Sequence, residues 1–153
     1  MNALTLLSDD HRRVRGMLAE LEATTDHEGG ARDQLLARIK DELAVHETME
    51  EQIVYAALEA DPRARAGVQD GFESHHRVDV LIDRLGALPS SDERWTAAAA
   101  AMRDGVERHV AAEEHGLFSE ARRILSAAEL DRLGRTLAER RLTIERQMTS
   151  ETR

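Results

Sequence analysis

Cysteine is absent from the sequence, and proline and aromatic residues are scarce, with two prolines and four aromatic side chains among 153 residues. A chain without cysteine forms no disulfide, no iron–sulfur cluster and no thiolate metal site. Imidazole and carboxylate groups are therefore the only strong metal ligands that this chain offers. Both prolines fall at predicted breaks between helices.

The charge balance is acidic, with a formal net charge of −9, and the basic residues form no stripe. Together with the few aromatic residues, this balance argues against nucleic acid and anionic membrane as partners. The sequence has no run of eighteen apolar residues, and its first apolar stretch is too short for a signal peptide. We therefore expect a soluble, cytoplasmic protein, a monomer or weak homo-oligomer, with one domain over residues 1–153.

Apolar residues recur at steps of three and four along four segments, the spacing that places side chains on one face of an α-helix. A histidine interrupts each series, and in two of them a glutamate follows four residues later. The four series are Leu4, Leu7, His11, Val14, Leu18, Leu21; Leu36, Ile39, Leu43, His46, Glu50, Ile53, Ala57; Val68, Gly71, His75, Val78, Ile82, Leu85; and Ala99, Met102, Val106, His109, Glu113, Gly116. Because histidine and glutamate are costly to bury, their place in these series indicates a function.

The second half of the chain repeats the pattern of the first half. The first series matches the third at an offset of 64 residues, and the second matches the fourth at an offset of 63 residues. A tandem duplication of a helical hairpin explains both offsets. Each copy then carries one histidine on its first helix and a His-x-x-x-Glu pair on its second helix.

The breaks between the series predict four helices separated by short loops. These helices cover about residues 3–24, 31–59, 66–87 and 92–124. Gly29 and Gly30 open the first connection, and Ser90 or Ser91 is the expected N-cap of the fourth helix. Because short connections make successive helices antiparallel neighbours, we predict an all-α, up-down-up-down four-helix bundle.

A capping-box pattern, Ser126 to Glu129, precedes a further amphipathic segment. It predicts a short fifth helix, about residues 127–147, that covers an end or side of the bundle. If the protein is a sensor, this helix is the only candidate segment for transmitting a signal to a partner.

Counting about 1.5 Å per residue from the loops brings the six polar interruptions to the same level, midway along the bundle. The predicted metal ligands are therefore His11, His46, Glu50, His75, His109 and Glu113. Ligands of these types favour iron, manganese or zinc. Two alternatives are a metal-free core, in which these groups hydrogen-bond one another, and a vestigial site inherited through the duplication.

Tyr55 lies on the second helix, but straight-helix geometry turns it nearly opposite His46. Tyr55 would ligate a metal only if the helix bends or unwinds near its end. Phe118 occupies the equivalent position of the second copy and has no ligating atom.

Several other polar residues lie off the four series. We expect His76 at the surface, and supporting or surface positions for His115, Glu47, Glu51 and Glu114. Glu73 and His76 form a single Glu-x-x-His pair, whereas ferritin-like sites need two such pairs.

The six predicted ligands resemble the signature of the hemerythrin-like, or HHE cation-binding, family, and the resemblance covers about residues 3–145. That signature has a histidine on the first and third helices and H-x-x-x-E on the second and fourth. The resemblance implies an oxo- or hydroxo-bridged centre of two iron ions, less commonly manganese or zinc. Glu50 and Glu113 would bridge the metals, the histidines would cap them, and the centre would react with oxygen, nitric oxide or peroxide.

One departure from the oxygen-carrying members of that family bears on function. Asp79 stands where they have a second histidine on the third helix, and Glu113 follows His109 by four residues instead of five. Fewer protein ligands leave open metal positions, which favours redox chemistry over reversible oxygen storage. We predict an oxidoreductase that consumes peroxide or nitric oxide under oxidative or nitrosative stress, with no catalytic residue assigned. The alternative is an oxygen- or iron-sensing module without turnover.

Overall fold

The computed structural model describes residues 1–151, which form five helices and no strand. Their bounds are Ala3–Glu22 (α1), 29–58 (α2), Pro62–Gly86 (α3), 95–124 (α4) and Ala127–Glu151 (α5). Helices α1 to α4 form the bundle, in which α1 packs on α2 and α3 packs on α4. The predicted all-α bundle with an additional C-terminal helix is confirmed.

Two predicted helix starts are wrong, and capping explains the first of them. Helix α3 begins at Pro62, four residues earlier than expected, because the side chain of Asp61 accepts the N–H of Arg63 and proline suits the first helical turn. Helix α4 begins at Trp95, three residues later, and Asp92 accepts the N–H of Arg94. Neither predicted serine cap is used there within the described residues.

The other ends of the bundle helices lie within two residues of the prediction, although α2 begins at Gly29 and so includes both glycines of the expected loop. The predicted capping box of α5 is confirmed. The N–H of Glu129 donates to the hydroxyl of Ser126 at 3.1 Å, and the N–H of Ser126 donates to the Glu129 carboxylate at 2.6 Å. Helix α5 is longer than predicted and continues to Glu151.

The hydrophobic core consists of two clusters, one toward each end of the bundle. The first includes Leu4, Leu7, Met49, Leu58, Val68, Leu117 and Phe118, and the second includes Val14, Leu18, Ile39, Ile82, Trp95 and Val106. The candidate ligands lie between them along every helix; in α1, for example, His11 falls between Leu7 and Val14. Apolar packing on both sides thus fixes the level of the polar layer.

Helix α5 packs mainly along α1 and α2. Its buried residues are Leu130, Gly134 and Leu137, all in its first half. A Cβ atom at Gly134 would approach the backbone of Asn2 to 3.0 Å, so glycine allows α5 to lie close to the start of α1. Across residues 1–151, no helix has the length and apolar character needed to cross a membrane.

Candidate metal centre

The structure brings all six sequence-predicted ligand residues together in the middle of the bundle. Each is buried, with at most 6% of its surface exposed. Two groups of residues have ligand atoms within 4.8 Å of one another: His11, His46, His109 and Glu113, and His46, Glu50, His75 and His109. Because the groups overlap, the six residues form one continuous cluster.

Glu50 lies at the centre of one group and contacts histidines from three helices. Its Oε1 atom is 3.0 Å from Nε2 of His75, 3.6 Å from Nε2 of His46 and 3.9 Å from Nε2 of His109. Burial raises the pKa of Glu50 well above its usual value, and the negative charge of Glu113 adds to this effect. A nearby cation would offset both causes.

Glu113 is the equivalent carboxylate of the second repeat. Its Oε1 atom is 2.9 Å from Nε2 of His109 and 3.3 Å from Nε2 of His11. Burial acts to raise the pKa of Glu113, but the close imidazole nitrogens outweigh it and hold this pKa well below the usual value. Of the two glutamates, Glu113 is therefore the one that stays ionised most readily.

Within the described chain, five buried polar atoms of this cluster lack a hydrogen-bond partner. They are Nε2 of His11, His46 and His109, Oε2 of Glu50 and Oε1 of Glu113. Each unpaired buried atom costs about 1 to 3 kcal/mol, and such atoms rarely occur together in native proteins. All five are atoms of metal-ligand type, and their residues belong to the two groups whose ligand atoms lie within 4.8 Å of one another, so the residues present fit a bound metal. The alternative of a metal-free core, in which these groups hydrogen-bond one another, does not explain why these five atoms have no hydrogen-bond partner among the described residues.

The outward nitrogen of each histidine has a partner in a second layer of side chains. The Nδ1 contacts are His46 to Asp10 at 3.0 Å, His75 to Glu51 at 2.8 Å, His11 to Glu114 at 3.1 Å and His109 to Ser74 at 2.8 Å. Such contacts fix the orientation of an imidazole ring and leave Nε2 free to bind a metal. The expected supporting role is confirmed for both glutamates of this layer.

Asp10 and Ser74 are functional candidates that the apolar pattern does not reveal. Each directly precedes a predicted ligand, and they are equivalent under the 64-residue offset. Burial acts to raise the pKa of Asp10, but the hydrogen bond from His46 and nearby arginine charges lower it below its usual value. The internal repeat could have identified these two residues in the sequence, because a polar residue directly precedes the histidine in both copies.

Tyr55 belongs to the cluster, contrary to the straight-helix prediction. A π-helical turn over Glu50–Tyr55 changes the rotation of the chain after Glu50 and turns Tyr55 inward. The hydroxyl of Tyr55 donates a 2.6 Å hydrogen bond to Oε2 of Glu113, and its ring stacks on His75 with centroids 5.6 Å apart. Burial and the neighbouring carboxylates raise the pKa of Tyr55, which keeps its proton on the hydroxyl in the metal-free protein.

The second copy repeats this arrangement without the hydroxyl. A π-helical turn over Glu113–Leu117 precedes Phe118, whose ring stacks on His11 with centroids 6.0 Å apart and planes inclined by 7°. Tyr55 therefore adds a polar atom to one side of a nearly symmetric cluster.

The other polar residues noted in the sequence are exposed, with the exception of Glu47. His76, Glu73 and Asp79 are exposed, so the Glu73 and His76 pair forms no buried site. His115 is exposed as well. Glu47 is buried beside the cluster, and burial raises the pKa of its carboxyl group to about 8.

A small cavity of about 10 Å³ lies beside the four imidazole rings. Its other walls are mostly apolar and include Val14, Leu43, Val78, Val106 and Val110. About 10 to 15 Å³ is the least space that holds a single water molecule. The cavity therefore admits only a molecule of very few atoms.

A wide groove of about 1020 Å³ between α3 and α4 extends from the surface to the cluster. Its lining includes His109 and Glu113 at the inner end and the exposed His115. Four glycines also line the groove, and of these only Gly116 has no described side chain within 4 Å of an added Cβ; the others are Gly67, Gly71 and Gly105. Helix α5 covers the equivalent side of the first repeat, so the two halves differ in their access to solvent.

Comparison with known proteins agrees with this geometry. Residues 2–121 match the family model of the hemerythrin HHE cation binding domain. The fold is similar to that of a hemerythrin HHE cation binding domain-containing protein from Mycobacterium kansasii, with a TM-score of 0.83 and 19% sequence identity, over 100% of this chain and 95% of that one. No curated protein matches the chain. Because the family model spans most of the sequence, the chain belongs to the hemerythrin HHE cation-binding domain family.

Proposed function

We propose that the protein binds two iron ions in the buried cluster and reacts there with small oxidants, namely oxygen, nitric oxide or hydrogen peroxide. The observation that carries this proposal is the set of five buried nitrogen and oxygen atoms of the cluster that lack a hydrogen-bond partner within the described chain. Two overlapping ligand groups support two ions. An imidazole and carboxylate set without thiolate suits iron, manganese or zinc, and iron is the metal that the resemblance to the hemerythrin-like family implies.

The protein side chains have distinct tasks in this proposal. Glu50 and Glu113 lie between histidines of different helices, and this position suits carboxylates that bridge two ions. Outer contacts to Nδ1 hold the four imidazole rings in orientation. When bound, an iron pair supplies reversible changes of oxidation state to a small oxidant.

The path to the cluster and the small space beside it also favour a reaction with a small molecule. The groove between α3 and α4 supplies an entry path, and the cavity of about 10 Å³ beside the imidazoles limits the size of the reactant. The mostly apolar walls of this cavity exclude bulk water from that side of the cluster, which limits side reactions. Disproportionation of peroxide to water and oxygen balances without an external reductant, so it is the simplest activity for the isolated chain.

Tyr55 is the side chain best placed to tune this reaction. Its hydroxyl oxygen lies 2.6 Å from Oε2 of Glu113 and donates a hydrogen bond to it, inside the ligand layer. It can therefore hold the glutamate in orientation, or itself bind a metal after losing the proton.

The experiment compares two neighbouring histidines, buried His75 and exposed His76. Purified protein is loaded with ferrous iron, and iron per chain is counted together with oxygen release from added peroxide and loss of added nitric oxide. We expect close to two irons in the wild type and in His76→Ala, and reduced iron and turnover in His75→Ala. Failure of the wild type to hold iron would refute the proposal.

A second candidate function, sensing or binding without turnover, is favoured by the contact between α5 and the outer layer of the site. Arg141 of α5 lies 2.5 Å from Asp10, which in turn contacts His46. Two bound irons without turnover of peroxide or nitric oxide would support this second function.

A further inference from the structure

Helix α5 reaches the outer layer of the cluster through a single arginine. Nη2 of Arg141 lies 2.5 Å from Oδ1 of Asp10, and the other carboxylate oxygen of Asp10 lies 3.0 Å from Nδ1 of His46. Asp10 is almost fully buried, whereas the side chain of Arg141 is 20% exposed. One continuous chain of charge-assisted contacts thus runs from the outer helix to a candidate ligand.

We propose that Arg141 is a positioning residue for the metal centre, through which docking of α5 and metal binding strengthen each other. This inference rests on the proposed metal binding. It assigns to α5 a role beyond covering the bundle, because the helix then holds His46 in the orientation that a metal requires.

The burial of Asp10 makes this arginine necessary. A buried carboxylate is stable only when charges and hydrogen bonds compensate for its lost hydration. His46 supplies one partner, and Arg13 approaches Asp10 to 3.4 Å, but the side chain of Arg13 is half exposed. Arg141 also lies 3.2 Å from Glu42 of α2, so it ties α5 to both helices of the first repeat.

The second repeat provides an internal comparison. The residue equivalent to Asp10 is Ser74, whose neutral hydroxyl contacts His109 and needs no compensating charge. In the described chain, α5 packs mainly against α1 and α2, away from this serine. Arg141 therefore contacts Asp10, which is the charged member of the pair. This is expected if Arg141 holds the Asp10 carboxylate in place.

The part of α5 that carries Arg141 has few buried apolar side chains. Its fully buried residues end at Leu137, and later residues such as Ile144 and Met148 are partly buried. Segments with few buried apolar contacts open more readily than the core. Loss of the contact between Arg141 and Asp10 is therefore compatible with an intact bundle, and it would free His46 to change orientation.

Thermodynamic linkage makes the coupling reciprocal. If docking of α5 raises metal affinity by some factor, metal binding raises the docking constant of α5 by the same factor. Removing an outer partner of a metal-binding histidine lowers metal affinity about 10- to 100-fold. We expect an effect of about 10-fold here, because Arg141 acts on His46 through Asp10.

The first measurement needs no substitution. Amide hydrogen exchange over residues 138–151 is compared between metal-free and iron-loaded wild-type protein, and we expect about 10-fold slower exchange in the loaded form. Equal exchange in the two forms of a protein that does bind iron would overturn the coupling and leave the proposed function intact. A wild-type protein without iron binding would overturn both.

The second measurement uses neighbouring arginines of α5. Arg141→Gln is compared with Arg140→Gln, because Arg140 contacts Gln52 of α2 at 3.1 Å but has no described contact with Asp10. Metal affinity is measured by competition with a chelator, after circular dichroism has verified the fold. We expect about 10-fold weaker binding and loss of metal-dependent protection in Arg141→Gln alone. Equal affinities in the two variants would refute the positioning role.

Discussion

Gly71 gives Tyr55 the space to enter the cluster, and replacing this glycine tests that relation directly. A Cβ atom at Gly71 would lie 2.5 Å from Cζ and 2.8 Å from Cε2 of Tyr55, and still closer to the hydroxyl oxygen. Carbon atoms do not approach so closely, and the tyrosine is fully buried. In Gly71→Ala, either the ring or helix α3 must therefore move.

The expected cost follows from these contacts. Overpacking of a core costs about 1 to 3 kcal/mol. Loss of the hydrogen bond to the ionised Glu113 adds about 1.5 to 3 kcal/mol if the hydroxyl is displaced. Alanine offsets about 0.5 to 1 kcal/mol through its better helix propensity. We expect the free energy of unfolding to fall by about 2 to 4 kcal/mol, or Tm by roughly 5 to 15 °C for a chain of this size.

Urea unfolding of the metal-free protein measures this change. The matched control is Gly16→Ala in α1, where no described atom lies within 4 Å of the added carbon, and it should be neutral or slightly stabilising. Tyr55→Phe should reduce the cost of Gly71→Ala, because it removes the atom nearest to the new methyl group. Equal stability of the two glycine variants would refute the assigned role of Gly71.

Three further predictions concern the metal site. Removing iron from the wild-type protein should lower Tm, because the unpartnered ligand atoms lose their cation; equal melting of the two forms would contradict the proposed coupling of metal and fold. Gly116 is an open position in the groove between α3 and α4, so the side chain of Gly116→Trp should obstruct this path. We expect iron removal by a chelator to be several-fold slower in Gly116→Trp than in Gly16→Trp. Equal rates would exclude the groove as the path. If Tyr55 binds iron, the loaded protein should have a visible absorption band at long wavelength that is absent in Tyr55→Phe; a spectrum unchanged by that substitution would rule out ligation.

The duplication produced two similar halves that differ beside the cluster. Glu51 and Glu114 play the same part in both, each contacting the histidine of a neighbouring helix. Three equivalent positions differ between the first and the second repeat: Asp10 corresponds to Ser74, Tyr55 to Phe118 and Leu7 to Gly71. The first repeat thus has a carboxylate where the second has a hydroxyl, and it has the additional phenol hydroxyl of Tyr55. If the cluster binds two iron ions as proposed, we expect the two positions to differ in affinity, and stepwise loading with iron would reveal the difference.

The sequence alone determined the number of bundle helices, the internal repeat and the six polar residues that lie together in the middle of the bundle. These features follow from local periodicity, since steps of three and four residues place side chains on one helical face whatever the surroundings. Short loops then left little choice of bundle topology. The burial of His11 and Glu50 was predictable for the same reason, because each stands inside an apolar series.

The tertiary structure decided what periodicity does not encode. A π-helical turn adds a residue to one turn of a helix, so Tyr55 came inward although regular geometry turned it away. The amphipathic pattern of α5 identified its apolar face but not the helices that receive it, and so the contact of Arg141 with Asp10 was not predictable. Contacts of this kind join residues 131 positions apart, and only the packing of whole helices brings them together.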